Sequence, residues 1–209
     1  MKNKQAKGFT LIELLIVIGI IAILATVVIL TLNPAELLRQ ARDTTRISDL
    51  DTLRSALSLY LADVAPIDLG TPTTCYASFE EADLTGFVIA DCGGRSDGSV
   101  ILTAVVTSSD GTADLVRYVN GSGWIPVDLA AISSGAPISA LPTDPVKPNT
   151  FGVVGDILDD YYYAYMTDGS NTFEVNARLE SIKFASSSEN DGGAKIRLYE
   201  VGTNPGLNY

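Results

Sequence analysis

The stretch FTLIELLIVIGIIAILATVVILTL, running from Phe9 to Leu32, is apolar throughout except for one ionisable side chain, Glu13. As an α-helix it would be about 36 Å long, enough to cross a hydrocarbon core of about 30 Å. A cleavable secretory signal fits poorly, because the apolar run is too long and no small-residue cleavage site ends it. The stretch therefore predicts a membrane-spanning helix. It follows a short segment, residues 1–8, that carries three lysines and no acid.

Glu13 is unusual within this helix, because inserting a carboxylate into a bilayer costs roughly 2.5–3.5 kcal/mol. A place in the first helical turn would favour an exposed acid by only about 0.3–1 kcal/mol. A buried positive charge would be a stronger partner, and cleavage between Gly8 and Phe9 would create one at the new α-amino group. A helix would separate Phe9 and Glu13 by about 6 Å along its axis. A neighbouring subunit shifted by that rise would therefore present its amine to this carboxylate.

The sequence KGFTLIELL, residues 7–15, closely resembles the class III signal of type IV prepilins and type II secretion pseudopilins. The resemblance implies that prepilin peptidase cuts between Gly8 and Phe9, that the same enzyme N-methylates Phe9, and that Glu13 guides assembly. It also implies a homo-oligomeric helical filament, an inner-membrane assembly platform and contact with membrane lipid before assembly. The family often carries a proline inside the apolar span, whereas here Pro34 lies just beyond it. Pilus and secretion pseudopilus, and major and minor subunit, all remain open.

The segment after Pro34 has helical periodicity and contains no glycine or proline as far as residue 61. Apolar side chains form a stripe along it, at Leu50, Leu53, Leu57, Tyr60, Leu61 and Val64. This spacing predicts an amphipathic helix whose apolar face packs on a following domain. With the span it predicts one long helix from about residue 9 to 63, with a candidate kink at Asn33 and Pro34. A coiled coil is the alternative, but the heptads are not sustained.

The rest of the chain, residues 64–209, predicts a β-rich globular head. Strand-like runs occur at residues 86–90, 100–107, 115–119, 161–167, 172–179 and 196–201. Two of these runs flank the turn Asp168–Asn171 and predict a β-hairpin, with Tyr161, Tyr163 and Tyr165 on one face as core or interface aromatics. The predicted fold class is α+β. The family resemblance implies a type IV pilin-like form of it, in which the long N-terminal helix packs on an antiparallel sheet.

Four head segments occur in the order that resembles the C-terminal part of major pseudopilins: Gly123–Pro126, Leu141–Pro145, Tyr163–Tyr165 and Phe173–Glu180. In those pseudopilins a calcium ion holds the final loop. The loop of comparable chemistry here is 186–193, where Glu189, Asn190 and Asp191 would offer oxygen ligands. Its spacing departs from that of the family and from the EF-hand pattern, so a solvated surface loop is the alternative. Within the Leu141–Pro145 turn, Asp144 is expected to cap the turn with its own side chain.

Cys75 and Cys92 are the only cysteines. A sole pair in one region of a membrane-anchored chain suggests a disulfide on the oxidising side, with two reduced, buried thiols as the alternative. Closing a loop of about 18 residues would contribute on the order of 3 kcal/mol. Basic residues on the two sides of the span nearly balance, so the orientation rests on the cysteines and the resemblance. Both favour a cytoplasmic N-terminus and an extracytoplasmic head, on the cell surface or in the periplasm after assembly.

The composition of the 209-residue chain excludes several functional classes. There is no histidine, which removes histidine-activated nucleophiles and imidazole metal sites, and zinc is disfavoured with only two cysteines. A formal net charge of −11 makes the chain a poor partner for nucleic acid. The sequence therefore predicts a structural filament subunit rather than an enzyme. The alternative is a membrane-anchored extracytoplasmic enzyme or solute-binding module with a simple signal anchor.

Overall fold

The computed structural model describes residues 8–72, 74–78, 88–90, 101–103, 115–146 and 161–207, with the backbone alone for 30, 88–90, 101–103 and 115. The chain divides into two compact units, Met1–Arg39 and Gln40–Tyr209. Cys92 and part of the strand-like runs predicted at 86–90 and 100–107 lie outside the described residues.

In the first unit, helix α1 spans Leu11–Leu32 and is followed by the start of helix α2, which spans Pro34–Asp63. Asn33 separates the two helices and has a left-handed backbone, with φ of 41°. Asparagine tolerates this conformation better than most residues, and proline suits the first position of a helix because it lacks an N–H. The predicted break at Asn33 and Pro34 is therefore present, and it falls where the apolar run ends.

In the second unit, the C-terminal part of α2 packs on a four-stranded antiparallel sheet with strand order β1-β4-β5-β6. The sheet strands are β1 Tyr76–Ala77, β4 Tyr163–Thr167, β5 Phe173–Arg178 and β6 Leu198–Gly202. Strands β2 Val88–Ala90 and β3 Ile101–Thr103 form a separate antiparallel pair. A short helix, α3 Ala185–Glu189, lies between β5 and β6. The predicted α+β, type IV pilin-like architecture is confirmed.

The core of the head lies between α2 and one face of the sheet. The predicted helical stripe is buried at Leu50, Leu53, Leu57 and Tyr60, while Leu61 and Val64 are half-buried beside it. Facing it is a row of paired residues that crosses all four strands, Tyr76, Tyr165, Val175 and Val201. The helical and strand periods of the sequence therefore identify both surfaces of this core.

The predicted hairpin is formed by β4 and β5. In its turn, the Asp168 carboxylate accepts hydrogen bonds from the Ser170 and Thr172 amides at 2.7 and 3.3 Å. Gly169 and Asn171 adopt positive φ, as the turn requires. The aromatic side chains of Tyr163 and Tyr165 are buried in the core, which confirms their predicted packing role.

Trp124 lies between two 3₁₀ turns, Leu115–Arg117 and Leu129–Ala131, and is fully buried. Its indole N–H donates to the Pro142 carbonyl at 2.9 Å, joining the segments Gly123–Pro126 and Leu141–Pro145. Gly123 is required there, because a Cβ at this position would lie 2.1 Å from the Tyr118 carbonyl oxygen. The two head segments singled out in the sequence are therefore one packing unit.

Three strand predictions need correction. The first strand of the hairpin begins at Tyr163 rather than at residue 161, so Tyr161 lies outside it. The run predicted as a strand at 115–119 forms a 3₁₀ turn, Leu115–Arg117, because its carbonyls accept hydrogen bonds from loops rather than from a strand. The Val116 carbonyl accepts from the Trp124 amide, and the Arg117 carbonyl accepts from the Leu141 amide. The last strand begins at Leu198 rather than at residue 196, because a turn from Lys195 to Leu198 precedes it.

Candidate functional site

The N-terminus of α1 is closed by a reciprocal capping box between Thr10 and Glu13. The Thr10 backbone N–H and hydroxyl donate to Glu13 Oε2 at 2.8 and 2.9 Å, and the Glu13 amide donates to Thr10 Oγ1 at 3.3 Å. Glu13 Oε1 accepts no hydrogen bond from any residue in the described part of the chain. Glu13 therefore serves the helix end with one oxygen and leaves the other exposed.

The surface of α1 is apolar and exposed along its length. The segment Leu11–Ile29 is long and apolar enough to cross a membrane, and none of it is buried within the chain. Exposing so much apolar surface to water costs about 25 cal/mol per Å². The helix therefore requires lipid or other helices around it.

Gly8 and Phe9 precede the capping box. Both are exposed, and the Phe9 side chain is 89% accessible. Among the described residues, none beyond the direct neighbours of Gly8 in the sequence lies within 4 Å of the position that a Cβ on Gly8 would occupy. The described residues therefore leave the peptide bond between Gly8 and Phe9 accessible.

Comparison with known families identifies a sequence motif at the N-terminal end of the molecule. Residues 3–29 match the family model described as the prokaryotic N-terminal methylation motif. The chain carries a prepilin-type signal. The match includes Gly8, Phe9 and Glu13, which confirms the predicted resemblance, while the individual roles of these residues stay predictions. No solved structure matches the chain. The prepilin-type signal and the apolar helix together are consistent with a single-pass, membrane-anchored protein.

Beyond the prepilin-type signal, the head contains a buried ion network centred on Arg46, whose side chain is completely inaccessible. Its guanidinium donates to Asp144 through two parallel hydrogen bonds of 2.7 and 2.8 Å. It also contacts Asp43 at 2.9 Å and Glu180 at 2.6 Å. The Tyr161 ring lies over the guanidinium, with its centroid 4.6 Å away. One residue of α2 therefore joins the Leu141–Pro145 turn to the end of β5.

The partners of Arg46 are themselves held by backbone amides. Asp43 accepts from the Glu180 and Ser181 amides, and Asp144 accepts from the Val146 amide at 2.8 Å, which confirms the predicted turn cap. Burial opposes the charge on Arg46, but the hydrogen bonds that it donates to Asp144, Glu180 and Asp43 raise its pKa above the usual range. Burial likewise tends to raise the pKa of Glu180, but Arg42 and Arg46 lower it overall. Arg46 and Glu180 are therefore both charged at neutral pH.

A second buried polar group lies on the opposite face of the sheet, where Glu174 and Glu200 hydrogen-bond to each other. Glu174 also accepts from the Asn176 side chain and from the Gly206 and Leu207 amides, at 2.8–2.9 Å. Burial, reinforced by the charges of Glu174 and Asp191, raises the pKa of Glu200 to about 8. Burial also raises the pKa of Glu174. At neutral pH Glu200 is therefore mostly protonated.

The raised pKa of Glu200 predicts a pH-dependent stability of the head. Folding raises the Glu200 pKa from its usual 4.5 to about 8, so the group's contribution is complete below the lower value and is lost as pH rises through the higher one. We expect the free energy of unfolding to fall by about 2 kcal/mol between about pH 6 and 9, lowering the melting temperature by about 5 °C. Thermal unfolding of the full chain in detergent, followed by circular dichroism, measures this change.

Glu200→Gln should remove most of this slope, because its amide can donate to Glu174 without titrating. Glu189→Gln is the matched control, since Glu189 is exposed and its replacement should leave the slope unchanged. The absence of histidine leaves few other groups that titrate in this interval. A slope that persists in Glu200→Gln would contradict the assignment.

The structure places the remaining predicted site residues as follows. Cys75 is buried and disulfide-bonded, but Cys92 lies outside the described residues, so the pairing of the two stays a prediction. Asp191 accepts from the Gly193 and Glu200 amides, and the Asn190 side-chain amide donates to the Ser186 carbonyl. Within the described ranges no three acidic or cysteine side chains form a metal-binding group. Calcium binding by Glu189, Asn190 and Asp191 stays an untested prediction.

Proposed function

We propose that this chain is a structural subunit of a type IV pilus or type II secretion pseudopilus. The observation that carries the proposal is the prepilin-type signal at residues 3–29, continuous with a helix that is apolar and exposed on every side. Prepilin peptidase would cleave after Gly8 and N-methylate Phe9. The mature subunit would then be taken from the membrane into a helical filament by an inner-membrane assembly platform.

The exposed surface of α1 explains why a filament suits this chain better than a simple anchor. Moving the span from lipid into water is strongly unfavourable, so it can leave the bilayer only where other apolar helices surround it. Identical α1 helices from neighbouring subunits provide that environment. The helix would thus be a membrane span before assembly and a filament core afterwards.

Glu13 would set the axial position of each subunit within this core. Its exposed Oε1 faces away from the capping box and is available to a cation. The free amine created at Phe9 of an adjacent subunit would be that cation, shifted by about 6 Å along the filament. A charge pair inside an apolar core would fix the axial register of neighbouring subunits, because a shifted register would leave both charged groups buried and unpaired.

The head would lie outside the cytoplasmic membrane, at the cell surface or in the periplasm once assembled. Loss of the three leader lysines makes the mature subunit still more acidic than the precursor. An acidic filament surface repels nucleic acid, so DNA capture by this subunit alone is not expected. A structural subunit also needs no catalytic residue in the head.

The cleavage step is tested by the mass of the N-terminal peptide from sheared surface filaments. We expect the peptide to begin at Phe9 and to carry one added methyl group. Gly8→Leu should abolish processing, because prepilin peptidase would have to accommodate a large side chain directly before the bond that it cuts.

Gly19→Leu is the matched control for this experiment. Gly19 lies within helix α1, has open space around it and is 11 residues from Gly8 in the sequence. This variant should therefore be processed normally. Recovery of a filament protein that retains residues 1–8 would overturn the proposal. Solitary, uncleaved molecules in the membrane would instead favour an anchored enzyme or solute-binding module.

A further inference from the structure

The head carries an exposed patch, which we call the isoleucine patch, made of Ile182, Lys183, Lys195, Ile196 and Arg197. The side chains of Ile182 and Ile196 are 82% and 72% accessible, higher than those of the other large hydrophobic residues described in the head. Two bare aliphatic side chains beside three cations are unusual on a soluble surface. The combination is typical of surfaces that meet a membrane interface.

The patch is fixed in place by hydrogen bonds and is not a loose tail. It consists of two turns, closed by bonds from the Ala185 amide to the Ile182 carbonyl and from the Leu198 amide to the Lys195 carbonyl. The Ser188 hydroxyl is buried between them and contacts the carbonyls of Ala185 and Ile196 at 2.8 and 3.0 Å. One serine therefore joins the two turns and presents both isoleucines from one part of the head.

The charge of the patch is opposite to that of the molecule. Across residues 182–198 the three cations outnumber the two acids, Glu189 and Asp191, although the whole chain has a formal charge of −11. Within the described part of the head, Lys183 and Arg197 form no ion pair. The nearby Glu180 is already occupied by Arg42 and Arg46. The patch is therefore a local positive site that suits an anionic surface.

The position of the patch in the head also bears on its partner. Ser181, next to Ile182, donates its amide to Asp43 at 2.7 Å. Asp43 lies in the first turn of α2 that belongs to the head, which begins at Gln40. The patch is thus at the end of the head where the chain enters from the apolar span. A head tethered through this end to a span in the bilayer stays at high local concentration near lipid headgroups.

We propose that the isoleucine patch docks the head onto the anionic lipid surface of the membrane before assembly. Lys183, Lys195 and Arg197 would contact headgroup phosphates, and Ile182 and Ile196 would enter the apolar boundary just below them. This inference requires only that the span lies in a bilayer. It is independent of cleavage and of filament formation.

The test uses the full-length chain, one copy per lipid nanodisc, in two lipid compositions. One disc contains phosphatidylcholine alone, and the other contains about one third phosphatidylglycerol, a typical anionic content for a surface that attracts basic patches. Hydrogen exchange of backbone amides is measured in both. Exchange within 182–188 and 194–198 should be at least about threefold slower in the anionic discs, whereas the hairpin turn at 168–172 should be unchanged.

The double variant Lys183→Gln, Arg197→Gln should lose this slowing, and so should Ile182→Ser, Ile196→Ser. Arg117→Gln is the matched control, because Arg117 is an exposed cation of the 3₁₀ turn Leu115–Arg117, outside the patch, and its loss should not change exchange in the two measured segments. Equal exchange in the two lipids would overturn the proposal. Slowing that requires two copies in one disc would also overturn it, because it would identify a second subunit as the partner.

Discussion

Glu13→Leu and Glu13→Gln are both expected to remain inserted in the membrane and to be lost from filaments. Leucine removes the cost of placing a carboxylate in lipid, so anchoring should improve. Either change removes the negative charge that the amine at Phe9 of a neighbouring subunit would require. Breaking a buried ion pair by deleting one partner costs about 3–5 kcal/mol, which corresponds to a loss of incorporation of more than about a hundredfold.

The two variants separate the charge of Glu13 from its role at the helix end. A glutamine oxygen can still accept from Thr10, so Glu13→Gln keeps the cap while removing the charge. Thr10→Ala is the complementary control, because it removes the hydroxyl from the cap and retains the charge. It should assemble. The measurement is the amount of each variant in sheared filaments, relative to the amount in the membrane. Normal incorporation of Glu13→Gln would show that capping alone explains the acid.

Arg46→Met is expected to destabilise the head more than any other single replacement on the polar side of α2. Methionine fills similar space but leaves the buried carboxylates of Asp43, Asp144 and Glu180 without their shared cation. The expected loss is about 3–5 kcal/mol of unfolding free energy. For a domain of this size that lowers the melting temperature by about 10 °C, measured on the full chain in detergent.

Arg42→Met is the matched control for this variant. Arg42 lies one turn earlier on the same helix and contacts Glu180, but its side chain is one-third exposed. Its removal should cost less than about 1 kcal/mol, as for other partly exposed pairs. Equal losses of unfolding free energy in the two variants would contradict this prediction. They would show that the substitutions act on the helix face in general and not on the buried network.

The parts of the fold that follow from a local pattern of residues could be predicted from the sequence. The stripe from Leu50 to Tyr60 follows the helical period, and the hairpin follows from two β-rich runs around a turn that contains Gly169. The prepilin-type signal could also be located, because Gly8, Phe9 and Glu13 lie close together in a continuous apolar context. In each case the decisive residues are neighbours along the chain.

The buried network could not be predicted in this way. Arg46 and Asp144 are 98 positions apart, and neither residue type is ordinarily buried. In the sequence, Arg46 counts as one of several cations after the span, and Asp144 is recognisable only as a turn cap. Their pairing depends on how α2 packs against the sheet, and the sequence contains no local pattern for that contact.

The error at residues 115–119 has a related cause. The run is rich in apolar residues, as a strand would be, but the backbone groups of Val116 and Arg117 bond to loops that follow them. Strand propensity describes side chains that fit a half-buried surface, and a buried turn satisfies the same preference. Only the destinations of the hydrogen bonds distinguish the two.

The reciprocal bonds between Thr10 and Glu13 have a consequence for the cell's supply of subunits. A precursor in which one carboxylate oxygen of Glu13 already bonds to the first helical turn is attracted less strongly to positive charges on random neighbours in the bilayer. Precursors would therefore accumulate in the membrane without associating non-specifically. Growth would then be timed by delivery of a processed neighbour, and the pool would be consumed only at the growing end.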